Sequence, residues 1–320
     1  MNFYEKSTSL PIGIVGSILA ASYFEPKLKA FYTLSHQHKS LYSVGKNDIL
    51  FVSFYVCVWL IFRQLVMKTV PVHFIENKCR NRFREQVYAF LMYSFSFGFG
   101  MYCAWNSVWF NDYSFFFRKY PHKYVDAAMK TYYLLNLALW IHMVFVLFLE
   151  KKRKDHTQML SHHLTTVALI ASSWVINLTR AGNCIFILFD SADILLSMAK
   201  CLNYAKFSKA CDTVFVSFVA VWAYTRHYVY LFVIYEAIHY LDYEPYKWNP
   251  SKGEYGSVYT HVVMVSMLII LEILAIYWFY LIIKLLIKVA KGTHAQDSRS
   301  EDEDELDELD EGYHENEKNK

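Results

Sequence analysis

Seven stretches in which apolar side chains run almost unbroken, at 49–66, 87–110, 131–149, 158–178, 183–199, 213–238 and 258–289, decide what this chain can fold into. About 20 such residues, coiled as a helix, cross the ~30 Å hydrocarbon core of a bilayer. An eighth run, 9–24, is shorter and carries Gly13 and Gly16. No basic segment precedes it and no A-x-A site follows, so it reads as a further span rather than a cleaved signal. Charge is scarce, at 19% of residues against 55% apolar, which is too little to coat a soluble fold. The expected fold class is all-α: a polytopic membrane protein of about eight transmembrane helices.

What charge there is lies apart from the apolar body. Residues 297–320 hold 12 acidic and 3 basic side chains, and the other 296 hold 29 basic and 17 acidic. The acidic block repels itself and cannot bury a core, so 291–320 is expected to be a disordered tail. Within it, Ser298 and Ser300 each precede a glutamate by three residues, a pattern suited to acidophilic kinases. Lys68, Lys78, Arg80, Arg82 and Arg84 follow the second span, and Lys151, Lys152, Arg153 and Lys154 follow the fourth. The positive-inside rule makes those loops, and with eight spans both termini, cytosolic. Residues 1–47 are then an N-terminal span with a lumenal loop, and 48–290 the membrane domain that carries the chemistry. The six cysteines show no CxxC spacing and sit mostly in apolar runs, which suits free thiols.

Ionisable groups inside a bilayer cost several kcal/mol each unless paired or wetted, and so mark functional candidates. Three consecutive spans hold them: His162 and His163 with Thr166, then Asp190 and Asp193, then Arg226 and His227. A short turn around Arg180 and Gly182 makes the first two spans antiparallel neighbours. Folding there puts His163 and Asp193 within about 6 Å in depth. Asp190, Asp193, Ser197 and Lys200 share one helical face. Arg226 needs a counter-ion, for which either aspartate serves; depth brings Asp193 closer to the imidazoles and leaves Asp190 as the better ion-pair partner. A di-iron centre would require about eight histidines in HxxxH and HxxHH boxes, and no such box occurs, nor any GxGxxG, P-loop, GxSxG or HExxH motif. Asn177-Leu-Thr179 spells a glycosylation sequon but abuts the membrane.

The stretch KKRKDHTQMLSHHLTTVALIASSWVINLTRAGNCIFILFDSADILLSMAKCLNY, residues 151–204, resembles the signature of the longevity-assurance family, the ceramide synthases of the TLC-domain superfamily. The likeness, nearest to fungal members, rests on His162-His163, Thr166, Ser172-Ser173-Trp174, Arg180-x-Gly182, Asp190-x-x-Asp193 and Lys200-x-Leu-Asn-Tyr204. Arg226-His227 and the acidic tail extend it over nearly the whole chain. Phe189 stands where animal members carry a histidine. The homeobox-like domain of many animal members is missing, and nothing else supports nucleic-acid binding.

The resemblance implies a TLC-type bundle around a polar and lipid-accessible cavity. There a fatty acyl group would pass from acyl-CoA to the amine of a sphingoid long-chain base, in the endoplasmic reticulum membrane. His162 and His163 would take the proton of the attacking amine or form an acyl-imidazole, two routes the sequence leaves open. Asp190 and Asp193 would orient an imidazole, while Thr166, Ser173, Asn177, Arg180, Arg226 and His227 would bind substrate or support the site. No metal or cofactor is implied beyond acyl-CoA as cosubstrate. Membrane lipids, a small single-pass regulatory subunit and homo- or hetero-oligomers are the implied partners, with the last lumenal loop, 239–256, influencing acyl-chain length. The rival readings are a non-enzymatic TLC-domain lipid sensor and a lipid transporter.

Overall fold

In a bilayer nothing satisfies a backbone N–H or C=O except the protein itself, so apolar runs of this length fold as helices. The computed structural model describes residues 3–105, 107, 109–110, 116–118, 120–149, 155–239, 248–252 and 254–291. In chain order their helices are α1 (Phe3–Phe24), α2 (Asp48–Thr69), α3 (Arg80–Trp105), α4 (Ala127–Leu149), α5 (His156–Val175), α6 (Thr179–Tyr204), α7 (Ser208–Trp222), α8 (Tyr230–His239) and α9 (Val258–Ala290). Two antiparallel ribbons of two-residue strands, β1 (Gln37–His38) with β2 (Leu41–Tyr42) and β3 (Trp248–Asn249) with β4 (Glu254–Tyr255), fold the loops before α2 and α9. A π-helical segment, Ala223–Val229, joins α7 to α8 without a break. The described residues therefore build eight rods, as the apolar runs predict.

Taken singly, α2, α3, α4 and α9 are long and apolar enough to cross a membrane. Polar groups dilute α5 and α6, which carry the histidines and aspartates. The basic loop 151–154 and the tail with Ser298 and Ser300 lie outside the described residues.

The sequence-predicted turn at Arg180 and Gly182 is displaced. The chain reverses at Asn177, which takes the left-handed conformation (φ 64°) that asparagine tolerates better than most side chains. Leu178 N–H donates back to Ser173 O at 2.8 Å, and Tyr120 Oη donates to Ile176 O at 2.7 Å. Arg180 and Gly182 thus belong to the first turn of α6, where Gly182 leaves room for the Tyr133 hydroxyl that a Cβ would strike. Gly100 does the same on α3: a Cβ there would lie 2.5 Å from Tyr132 Oη, and Asn183 Nδ2 donates to its carbonyl at 3.2 Å. The two glycines let α6 and α3 close on the tyrosines of α4, and the Asn183 hydrogen bond ties α6 to α3.

The expectation that α5 and α6 pack as neighbours also needs correction. α6 packs mainly on α3 and α7, α5 on α4 and α9, and the two touch only sparsely. The space between them is where the polar groups meet. At the hairpin end of the bundle a buried cation locks the frame. Lys130 Nζ on α4 is 2.7 Å from Asp48 Oδ1 on α2 and donates to the Ser35 and Ser43 carbonyls at 2.9 and 2.7 Å. Asp48 Oδ2 accepts from Trp174 Nε1 of α5 at 3.0 Å. With all its protons placed, the ammonium repays its desolvation and ties the α1–α2 loop to three helices.

A histidine and aspartate site between two chambers

His162 and His163 lie on the second turn of α5, both buried. Trp140 of α4 stands edge-on to both imidazoles, 5.4 Å between centroids in each case, and Trp278 of α9 meets His162 at 5.4 Å. Indoles on two sides fix the His162 ring orientation, which a lone helix could not do. The Met143 carbonyl accepts a hydrogen bond from His163. Among the described residues neither Nδ1 has a partner. The aspartates, expected to orient an imidazole, make no hydrogen bond to either ring.

Counting from Asn177, His162 and Asp193 stand 15 and 16 residues away, His163 and Asp190 14 and 13. All four therefore share a layer about 5 Å deep, shallower than the spread expected from a turn at Arg180. Arg226 settles the difference between the carboxylates, and it does so against expectation: its Nη2 pairs with Asp193 Oδ2 at 2.8 Å, not with Asp190. The same nitrogen donates to Phe189 O at 3.1 Å, and the guanidinium lies over the Trp222 and Phe189 rings at 4.0 and 4.4 Å. A charge held by a carboxylate, a carbonyl and two aromatic faces is tolerable in a membrane. The wider turn of the π segment carries this arginine. Its neighbour His227 points elsewhere: Nδ1 is 2.7 Å from Glu272 Oε1 of α9, so His227 fastens α8's approach to α9 and is not at the site.

Two cavities flank these groups and share Trp140 as a wall. A chamber of about 260 Å³ with mixed walls opens toward the basic end of the bundle and carries the charged groups Arg63, Arg82, Lys200 and Arg226, with Asp155, His162, His163 and Asp193. An apolar chamber of about 80 Å³ lies toward the hairpin end, lined by Leu169, Ile170, Phe186, Phe189, Val233, Met264 and Leu268, with Thr166 and Asp190 among them.

The remaining sequence candidates divide cleanly. Thr166 is at the site. Ser173 lines the apolar chamber but holds Tyr133 Oη at 2.6 Å, a strut between α5 and α4. Ser173→Ala leaves that buried hydroxyl unpaired and is expected to destabilise by about 1–3 kcal/mol, read as a lower melting midpoint in detergent. Asn177 forms the turn, and Arg180 lies over the Trp109 ring at 5.1 Å, far from the histidines. Asn177 and Thr179 are 5% and 2% exposed, so the sequon is not presented for glycosylation. Sequence reasoning missed Trp140, Trp278 and Glu272. A tryptophan inside a span looks like packing, and the single glutamate of α9 gave no pattern. Among the described residues no three His, Cys, Asp or Glu side chains gather as a metal donor set.

Fold and site define a class: a polytopic α-helical membrane protein with an ionisable cluster buried between a chamber that carries charged groups and an apolar one. The TLC domain family model matches residues 82–284, and the chain belongs to that family. It is similar to sphingosine N-acyltransferase lag1 of Schizosaccharomyces pombe, 34% identical over 303 residues, covering 91% of this chain and 77% of the relative. It is likewise similar to sphingosine N-acyltransferase LAG1 of Saccharomyces cerevisiae, 30% identical over 86% of this chain and 69% of the relative. Human ceramide synthase 5 is 34% identical over 221 residues, 69% of this chain and 54% of the relative.

Proposed function

We propose that this protein is a ceramide synthase, transferring a fatty acyl group from acyl-CoA to the amine of a sphingoid base. The observation that carries the reading is the place of His162 and His163, buried in a chamber that also carries Arg82 and Lys200 and that shares the Trp140 wall with one lined by hydrocarbon. An acyl-CoA is that combination in one molecule: anionic phosphates, a thioester and an alkyl chain. Arg82 and Lys200, both half-buried, line the chamber that suits the phosphates, while the buried Arg63 stands 3.8 Å from Glu85 Oε1. The amine nitrogen attacks the thioester carbon, the C–N bond forms and the C–S bond breaks. An imidazole takes the proton of the nitrogen and returns it to the departing thiolate. In the alternative order an imidazole nitrogen carries the acyl group first, and the amine then displaces it. Neither order calls for a metal or cofactor.

The membrane is that of the endoplasmic reticulum in this reading, with the basic end and both termini in the cytosol, where acyl-CoA is made available. Residues 48–290 carry the activity. A small single-pass subunit or further ceramide synthase copies complete the assembly. A lipid sensor or transporter would not need two buried imidazoles beside these chambers.

The test is a microsomal assay in a host lacking its own ceramide synthases, with sphinganine and labelled acyl-CoA and with the host's membrane subunits present. No ceramide above background ends the acyltransferase reading. The acidic tail is a separate matter. Phosphate on Ser298 or Ser300 adds like charge to like charge, and salt screens any attraction to the basic loops beyond about 8 Å. Deleting 297–320 is expected to leave microsomal activity within about twofold while changing abundance or distribution in cells. A truncated protein that is abundant, correctly placed and inactive would give the tail a catalytic part.

A further inference from the structure

Two polar atoms in the apolar chamber have nothing to bond to. Asp190 Oδ2 and Thr166 Oγ1 are both without a hydrogen-bond partner, on side chains that are 5% and 7% exposed. Leaving either unpaired costs about as much as several good hydrogen bonds return, and natural proteins keep such groups where a ligand completes them. The neighbours that might have served are engaged elsewhere. Arg226 is committed to Asp193, Ser173 to Tyr133, and Ser96, which donates to Asn136 Oδ1 at 2.9 Å and also reaches the Asp190 carboxyl, still leaves Oδ2 unpaired. Thr166 and Asp190 stand 11 and 13 residues from the hairpin turn, level within about 3 Å, and line the same cavity.

We infer that Asp190 and Thr166 receive the amino-alcohol head of the long-chain base, Asp190 its ammonium and Thr166 one of its hydroxyls. This rests on the acyltransferase reading and deepens it. Of the two substrates, only the base fits. The reacting end of acyl-CoA, a carbonyl and a sulfur, has acceptors but no donor, and a carboxylate has no use for it. An ammonium beside hydroxyls has the donors that Asp190 and Thr166 lack, and its alkyl chain suits a site walled by Phe189 and Leu169. Held there, the nitrogen lies in the layer of His162 and His163. The ammonium gives up one proton to one imidazole, which releases it to water through the charged chamber; the free pair attacks the thioester carbon, and as the C–N bond forms and the C–S bond breaks the other imidazole takes the nitrogen's second proton and hands it to the departing thiolate. Arg226 keeps Asp193 out of this role, so the two aspartates of one helical face divide the work: one braces the bundle and one meets the substrate.

The experiment compares sphinganine, 1-deoxysphinganine and 3-deoxysphinganine as acceptors, using the full chain in microsomes from the ceramide-synthase-null host. Wild type is expected to show a KM about tenfold higher for whichever analogue lacks the hydroxyl that Thr166 holds. Thr166→Val raises the KM for sphinganine by the same factor, adds nothing further for that analogue, and leaves kcat within threefold; Thr166→Ser restores the wild-type pattern. Asp190→Asn raises KM for all three bases. A Thr166→Val effect equal on all three, or absent on all three, assigns the hydroxyl to packing or a buried water and overturns the inference. Should Thr166→Val fail to accumulate, the wild-type comparison decides alone: equal KM values for all three bases overturn it. If no base is acylated by the wild type, the acyltransferase reading falls first, a result distinct from the loss of discrimination.

Discussion

Alanine in place of His162 or of His163 is expected to lower ceramide formation at least about a hundredfold, the scale of a lost acid–base or nucleophilic group. The two rings are unequal. His162 is wedged between Trp140 and Trp278, whereas His163 is anchored on the Met143 carbonyl. Removing His162 therefore also opens space between two indoles, and His162→Gln, which fills more of it, separates lost chemistry from lost packing. Incubating each variant with labelled acyl-CoA and no base then tells the routes apart. An acyl-imidazole route leaves label on the protein until one particular histidine is removed, and a general-base route leaves none in any variant. Either alanine variant that is abundant and keeps more than half of wild-type activity takes that histidine out of the mechanism.

Asp193→Asn is expected to destabilise the protein by about 3–5 kcal/mol, because it strands the Arg226 guanidinium in the bundle without its carboxylate. The loss will show as low abundance and a lower melting midpoint in detergent. Removing both charges, in Asp193→Asn with Arg226→Met, should recover a large part of that stability, since neither buried charge then remains unpaired. Asp190→Asn behaves otherwise. It breaks no ion pair among the described residues, so the protein should accumulate normally while acceptor kinetics deteriorate. Equal destabilisation by the two asparagines would mean that Arg226 divides itself between both carboxylates, and the assignment of separate roles would fail.

Much of this was legible in the sequence. Hydrophobic length is a local property, and eight apolar runs translate into eight rods because the backbone has no other way to satisfy itself in lipid. The ionisable side chains within those runs were equally visible, for a charge among apolar neighbours stands out without any fold. Even the level of the site could be read from a helix rise and a short turn, although the turn was put at Arg180 when Asn177 makes it. The sequence sets the chemistry available at each level of the bundle and the family signature in 151–204.

Which polar groups meet was decided only by the tertiary structure. Asp190 and Asp193 lie three residues apart on one face, and nothing local distinguishes them. The π segment and the packing of α6 on α7 bring Arg226 to the second and leave Oδ2 of the first unpaired. His227, adjacent to Arg226 in sequence, turns to Glu272 of α9, 45 residues away. Trp140 closes on His162 from the preceding helix and Trp278 from α9, at the far end of the bundle's sequence. Pairings of this kind depend on how rods are rotated and which are neighbours, and those are set by close approaches at Gly100 and Gly182 and by buried contacts summed over the whole bundle. Short-range pattern therefore determined the inventory and its depth in the membrane, and long-range packing determined the partners.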